Sequence, residues 1–353
     1  MEIAALQRAL AEAAEGLGDI SVMEVCGTHT HAIWRHGIRQ LIPKNIRLVS
    51  GPGCPVCVTD DAELSAAFYL LRQKDVTLCT FGDMLRVPCG GESLSSLSAS
   101  GADARALISP MDALDIAKGN PKRAVVWFGV GFETTAPHTA ALAEAAAKME
   151  LANLFVFCAH KTMPAALRAL MGESSNVDAL LCPGHVAAVA GTEIFRFVPE
   201  ELRLPAAVAG FEAEDILAAL VALVRMIKYQ KPALVNAYPR AVTEEGNPAA
   251  KALVDQVFTP CAARWRGLGE IPESGLQLRD EYAALDAAKR FDIPQYRAAP
   301  PSVCRCAQVL RGRIAPNACA AFGRACTPQN PLGPCMVSAE GACAAYYAYG
   351  GNL

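Results

Sequence analysis

The sequence predicts an α/β fold: two similar α/β domains with parallel sheets facing a cleft, and a mixed, loop-rich C-terminal domain. Three observations carry this. Short apolar runs alternate with helix-length stretches through the first two thirds of the chain, the pattern of a parallel sheet flanked by helices. The turns that follow several of these runs combine Gly with thiol, imidazole or carboxylate side chains, and open α/β sheets hold ligands at the carboxyl ends of their strands. From about Lys231 the rhythm stops, and six of the fourteen cysteines fall in the last fifty residues.

Taken in order, Met1 to Gly18 shows helical periodicity in Ile3, Leu6, Leu10 and Ala14. Glu2, Glu12 and Glu15 and the lack of a small-residue cleavage site make it an amphipathic surface helix rather than a signal peptide. Strands are predicted over 21–25, 46–50, 76–81 and 105–108, with a helix from Asp60 to Gln73 that Thr59 or Asp60 could cap. Ser93 to Ser100 reads as a polar loop or a weak helix start. A second set follows: 124–130 and a helix to about Met149, then Leu154 to Cys158, Ala179 to Leu181, and Leu204 to Ala209 with a helix to about Tyr229. The division predicted is one domain over 21–122, a second over 123–229, and a third formed by 1–20 with 230–353. Beyond Lys231, turn signals at Asn236-Ala237-Tyr238-Pro239 and Glu245-Gly246-Asn247-Pro248 precede helical stretches near 248–258 and 280–290.

Composition narrows the class. A net charge of -3 argues against nucleic-acid binding, which needs a basic face. No run approaches the roughly 18 apolar residues that span a bilayer. Fourteen cysteines in a chain of this size without a signal point to metal or redox chemistry in a reducing cytoplasm rather than to a disulfide framework.

The organising stretches are Glu24-Val25-Cys26-Gly27-Thr28-His29-Thr30-His31 and Ser50-Gly51-Pro52-Gly53-Cys54-Pro55-Val56-Cys57. A lone Cys after a strand is by default a small buried hydrophobe. Around Cys26, however, Gly27 allows a sharp turn or close approach, and four polar side chains follow where a core would supply none. This is an exposed polar mouth in which a thiolate could form, with His29 and Thr28 as the groups that would lower its pKa. The Cys54–Cys57 spacing suits a redox dithiol or half of a metal site. Gly131-Phe132-Glu133-Thr134-Thr135 is either a capped strand-to-helix turn or a carboxylate and hydroxyls aimed into the cleft. His160, Lys161 and His185 carry the same two readings. No Walker sequence and no GxGxxG opening a helix is present, so no nucleotide site can be argued.

The tail contains Cys304, Cys306, Cys319, Cys326, Cys335 and Cys343 without apolar periodicity, and a metal centre would order it. Four thiolates can hold an iron-sulfur cluster or a zinc ion. Fourteen residues separate Cys304 from Cys319, six separate Cys319 from Cys326, and sixteen separate Cys326 from Cys343. Zinc sites use tight CxxC pairs, so scattered ligands of this kind favour a [4Fe-4S] cluster wrapped by loops.

These motifs, with Cys182-Pro183-Gly184-His185-Val186 and Gly333-Pro334-Cys335-Met336-Val337-Ser338-Ala339-Glu340-Gly341-Ala342-Cys343, resemble those of the [NiFe]-hydrogenase maturation factor HypD family. The resemblance runs from about Ile3 to Tyr347. It departs locally at Cys306-Ala307, where a Gly is expected after the Cys, and at Ala320-Ala321-Phe322, where Pro-Leu-Phe is expected. It implies a cytoplasmic scaffold that pairs with the small chaperone HypC and holds the iron on which Fe(CN)2CO is built. The cyanide would arrive from HypE, and a third domain would carry the [4Fe-4S] cluster. It further implies Cys26 as an iron ligand and Cys54 with Cys57 as a redox dithiol between cluster and iron. Spacing and family pattern together select Cys304, Cys319, Cys326 and Cys343 as cluster ligands, with Cys306 and Cys335 as alternates. Cys26, His29, Cys54, Cys57, Glu133 and Thr134 are the candidate active groups. Such a protein is an assembly scaffold with redox activity rather than a free-standing turnover enzyme. The competing readings are an iron-sulfur protein-disulfide reductase using Cys54 and Cys57, and a zinc-stabilised binding protein.

Overall fold

The computed structural model describes residues 2–172, 176–296 and 303–350. Eleven strands are described: β1 (Ile20–Glu24), β2 (Ile46–Ser50), β3 (Val76–Thr80), β4 (Asp103–Ala106), β5 (Ala124–Gly131), β6 (Leu154–His160), β7 (Ala179–Pro183), β8 (Ala206–Ala209), β9 (Leu234–Asn236), β10 (Phe258–Trp265) and β11 (Gly269–Leu278). They form two parallel sheets, β2-β1-β7-β8-β9 and β4-β3-β5-β6, and an antiparallel hairpin, β10-β11.

The α/β class and its parallel sheets are as the alternation predicts. The strands, however, do not sort by the division at residue 122. The chain makes β1 and β2, leaves to build the whole second sheet, and returns with β7 on the other side of β1. The N-terminal helix, Ile3–Ala14, joins the first sheet rather than the third domain. Leu6 and Leu10 share a buried core with Ile20, Val22 and the helix Ala213–Lys228, and Lys228 Nζ donates to Glu12 O at 3.0 Å. β9 extends the same sheet past residue 229. Helical periodicity reveals that a helix has an apolar face; it does not say which sheet that face will cover.

Local signals explain the elements. The helix Asp61–Leu71 starts at Asp60, which accepts from Ala62 N at 3.0 Å while Glu63 Oε2 accepts from Asp60 N at 2.8 Å. That reciprocal box satisfies donors the first turn leaves free. Ser93 and Ser96 make the same box for the helix Leu94–Ala99. The predicted 105–108 strand lies at Asp103–Ala106, a half-exposed edge. The predicted helix near 280–290 is a 3-10 turn, Asp280–Leu285, and a short helix, Ala287–Arg290. The hairpin was not foreseen. Pro260 interrupts its apolar pattern, and the hairpin is ordered by packing on the second sheet, where Gly275 bridges Lys161.

Strand order places the chemistry. In the first sheet the connections run outward on both sides of the β1/β7 boundary, and such a reversal opens a crevice at the carboxyl ends. Pairing of Glu24 with both Ser50 and Leu181 brings the turns after β1, β2 and β7 to one edge. Those turns carry Cys26, Cys54 and His185.

Candidate functional site

Cys26 is the N-cap residue of the helix Gly27–Arg35. The turns after β1 and β2 interlock around it. Gly27 N donates to Gly53 O at 2.9 Å, and a Cβ on Gly53 would overlap the Cys26 backbone. A Cβ on Gly27 would sit 3.2 Å from Cys54 Cβ and 2.6 Å from Glu340 Cβ. Both glycines are therefore required by close approach. Beneath them Glu24 is fully buried, accepting from Ser50 Oγ at 2.8 Å and Thr30 Oγ1 at 3.4 Å. Burial raises its carboxyl pKa, opposed by the charge of Arg39.

Cys26 does not open onto a mouth: it is 2% exposed. Nearby is Glu340, whose Oε1 accepts from Thr28 Oγ1 at 2.7 Å. Burial first, and Glu340 second, push the Cys26 thiol up to about 12. The backbone amide of His29, and the hydroxyl and amide of Thr28, oppose that rise. His29 thus reaches the sulfur through its amide and not its ring. Its imidazole turns inward, with Nε2 2.9 Å from Gly210 O and the ring 4.8 Å from Phe211. The imidazole beside the sulfur is that of His185, whose Nε2 and Nδ1 lie 3.9 and 4.0 Å from Cys26 Sγ. The His185 ring stacks on Phe211 at 5.1 Å, and burial lowers its pKa to about 4. A neutral imidazole thus lies beside a neutral thiol.

Cys54 and Cys57 are both buried and joined as a disulfide at the start of the one-turn helix Pro55–Val58, where Cys57 N donates to Cys54 Sγ at 3.2 Å. The CxxC thiols are therefore paired with each other rather than open as metal ligands.

Glu133 is a cap acceptor. Its Oε1 accepts from Met163 N at 2.8 Å at the head of the helix Met163–Gly172, while its Oε2 is buried without a hydrogen-bond partner. Burial raises its carboxyl pKa to about 7. Thr134 is half-buried next to it. Phe132 stacks on Trp265 at 5.8 Å, and Trp265 bridges Thr59, so this turn faces the dithiol helix rather than Cys26. His160 and Lys161 are both buried. His160 Nε2 lies 2.8 Å from Thr139 Oγ1, and Lys161 Nζ donates to Glu63 Oε1 at 2.6 Å.

The tail packs its helix Ala342–Tyr349 on the Cys26 helix, with Trp34 and Tyr346 rings 4.7 Å apart and His31 Nδ1 3.3 Å from Ala339 O. Cys304, Cys306, Cys319, Cys326 and Cys343 line one small cavity, and Cys335 hydrogen-bonds to Cys306. Among the described residues no three His, Cys, Asp or Glu side chains are disposed to hold a single metal ion. Five thiols with no carboxylate or imidazole around one cavity are nevertheless the donor set an iron-sulfur cluster takes. The two residues the sequence under-weighted, His185 and Glu340, left faint signals: a His after a strand-turn Gly, and a single carboxylate in a run of small residues.

A family model named HypD, described as "Hydrogenase formation hypA family", matches residues 2–350. A protein of Azotobacter chroococcum mcd 1 named hydrogenase expression/formation protein HupD is 45% identical over 337 residues, covering 93% of this chain and 89% of its own. The hydrogenase maturation factor HypD of Rhizobium leguminosarum bv. viciae is 46% identical over 338 residues, covering 93% and 88%. That of Escherichia coli K12 is 43% identical over 337 residues, covering 94% and 89%.

Proposed function

Because the chain belongs to the HypD family and is a hydrogenase maturation factor, we propose that it is a scaffold on which Fe(CN)2CO is assembled, with Cys26 as the iron ligand. The observation that carries this is the meeting of three chemistries at one place. The Cys26 turn is packed between the Cys54 turn and Glu340, and Glu340 lies three residues from Cys343 in the thiol-lined cavity.

In this reading the iron is cargo. It is held by few protein ligands, so that it can leave. Cys26 supplies a soft thiolate suited to Fe(II) with π-acceptor ligands. His185 packs its neutral imidazole against the sulfur, and Thr28 with the amides of Thr28 and His29 steadies it. Burial keeps the thiol protonated until metal arrives. HypC would supply the neighbouring ligand, and HypE would deliver cyanide. Cys304, Cys319, Cys326 and Cys343 would hold a [4Fe-4S] cluster, which supplies one electron at a time when bound. Cys54 and Cys57 would exchange electrons as disulfide and dithiol. The compartment is proposed to be the cytoplasm; no described helix is long and apolar enough to cross a membrane.

The test is infrared spectroscopy of the chain co-purified anaerobically with HypC. Cyanide and carbonyl stretches are expected with the partner present. Their absence, with disulfide reduction of protein substrates found instead, would favour the reductase reading.

A further inference from the structure

A cavity of about 160 Å3 lies where the tail meets β2, the edge strand of the first sheet. Trp34, Arg39, Arg47 and Ser50 line it from the first sheet's side, and Arg313 and Tyr346 from the tail. The tail presses closely here. Gly312, at φ +69°, would place a Cβ 2.5 Å from Val49 Cγ1 and 2.9 Å from Met23 Cε, so a side chain would break the contact.

Three guanidinium groups therefore line one small space, and no carboxylate does so among the described residues. Arg39 is half-buried, with its guanidinium 4.7 Å over the Trp34 ring. Its Nε is buried without a hydrogen-bond partner. Among the described residues Arg39 makes no hydrogen bond and no ion pair. Its charge is felt at the buried Glu24, which Ser50 Oγ separates from the cavity by donating to Glu24 Oε1 at 2.8 Å. Arg47 stands exposed on β2, where Nη2 donates to Ser21 Oγ at 3.0 Å, and it makes no ion pair among the described residues. Withdrawing a guanidinium from water without an anion is costly. Its planar fork of donors matches the oxygens of a phosphate.

We propose that this cavity is a binding site for a small phosphate-type dianion, held by Arg39 and Arg47 from the first sheet with Arg313 from the tail. More than one positive charge and no lining carboxylate favour a dianion over a monoanion. The volume lies below the roughly 300 Å3 at which drug-sized pockets begin, so the ligand is a phosphate or a small phosphomonoester rather than a nucleotide. Arg39 and Arg47 also line an adjoining cavity of about 460 Å3, where Asp19 disfavours an anion. Bound between the arginines, the dianion would brace the tail against β2.

The experiment is isothermal titration calorimetry of the full chain, purified anaerobically, with inorganic phosphate, methyl phosphate or acetate at pH 8 and matched ionic strength. At least one of the two phosphates is expected to bind saturably with Kd about 1 mM or tighter, and acetate at least about tenfold more weakly. Tighter binding of methyl phosphate identifies a phosphomonoester as the ligand, and tighter binding of inorganic phosphate identifies the free ion. Arg39→Gln should weaken binding about tenfold, and Arg39→Lys, which keeps the charge but not the fork, about threefold. Arg47→Gln should weaken it at least about threefold, and added salt should weaken it in the unaltered chain. If circular dichroism shows that Arg39→Gln does not fold, Arg47→Gln decides, because that position is exposed. No saturable binding of either phosphate, equal binding of all three anions, or a Kd unchanged in the folded arginine variants overturns the proposal. None of these readings uses iron, so the outcome is independent of the scaffold reading.

Discussion

Cys26 Sγ lies 3.9 Å from His185 Nε2, although 159 positions separate the two residues in sequence. The pair exists because β7 returns beside β1 after the second sheet has been built. It sits beneath Glu340, which adds to burial in holding the thiol protonated. Iodoacetamide labelling read by mass spectrometry checks this. Cys26 should label far more slowly than an ordinary thiol at pH 8, and its rate should keep rising with pH toward about 12. Glu340→Gln should speed labelling severalfold. A rate that levels off between pH 8 and 9 would show that the thiol is not shifted.

The ring of His29 is buried against Gly210 and Phe211. His29→Ala removes the contact with Gly210 O and the packing on Phe211, and should cost about 2 to 4 kcal/mol in urea unfolding. Variant protein that remains folded should keep full iron binding. Iron loss without loss of stability would return the ring to the site.

Glu133 makes stability depend on pH with a definite sign. Its carboxyl pKa rises from 4.5 to about 7 on folding. The stabilisation of its neutral form is fully present below 4.5 and is lost as pH rises through 7. Glu133→Gln, which cannot ionise, should therefore match the unaltered chain at pH 4.5 and exceed it at pH 8, by about 3 kcal/mol at most. Thermal melts at the two pH values measure this, and an equal difference at both would contradict it.

Much of the site's inventory was legible, because thiols and imidazoles in Gly-punctuated turns after apolar runs have few other reasons to be there. Cys26, Cys54 and Cys57 lie at one sheet edge, as those turns suggest. Depth was not legible. Cys26 is buried where distant segments meet, among them Glu340, whose hydrogen bond to Thr28 spans 312 positions. Nor was the direction of His29: three residues into a helix from its N-cap, a side chain faces whatever packs there, and that is the turn after β8. The division into domains failed for the same reason, since nothing local to β2 or β7 announces that they flank the same strand.

Lys161 is buried against Glu63, which also caps the helix after the dithiol. Removing one partner leaves the other charge unpaired, and Lys161→Met should cost about 3 to 5 kcal/mol. The double change Lys161→Met with Glu63→Gln should recover part of that loss in chemical denaturation. No recovery would mean that the two side chains act independently.

If the tail holds the proposed cluster, single Cys→Ala changes at Cys304, Cys319, Cys326 and Cys343 should bleach the visible absorbance and destabilise the segment, since metal binding there would be folding energy. Cys306→Ala and Cys335→Ala should keep the colour. A full chromophore in Cys319→Ala or Cys326→Ala would reassign the ligands to the alternates.

The scaffold reading stands on Cys26, and one measurement reaches it most directly: the infrared spectrum of Cys26→Ala co-purified anaerobically with HypC, beside the unaltered chain. The account predicts that the cyanide and carbonyl stretches vanish in the variant while the brown chromophore, the fold and the partner complex persist. Stretches at full strength in Cys26→Ala would contradict the iron-ligand role.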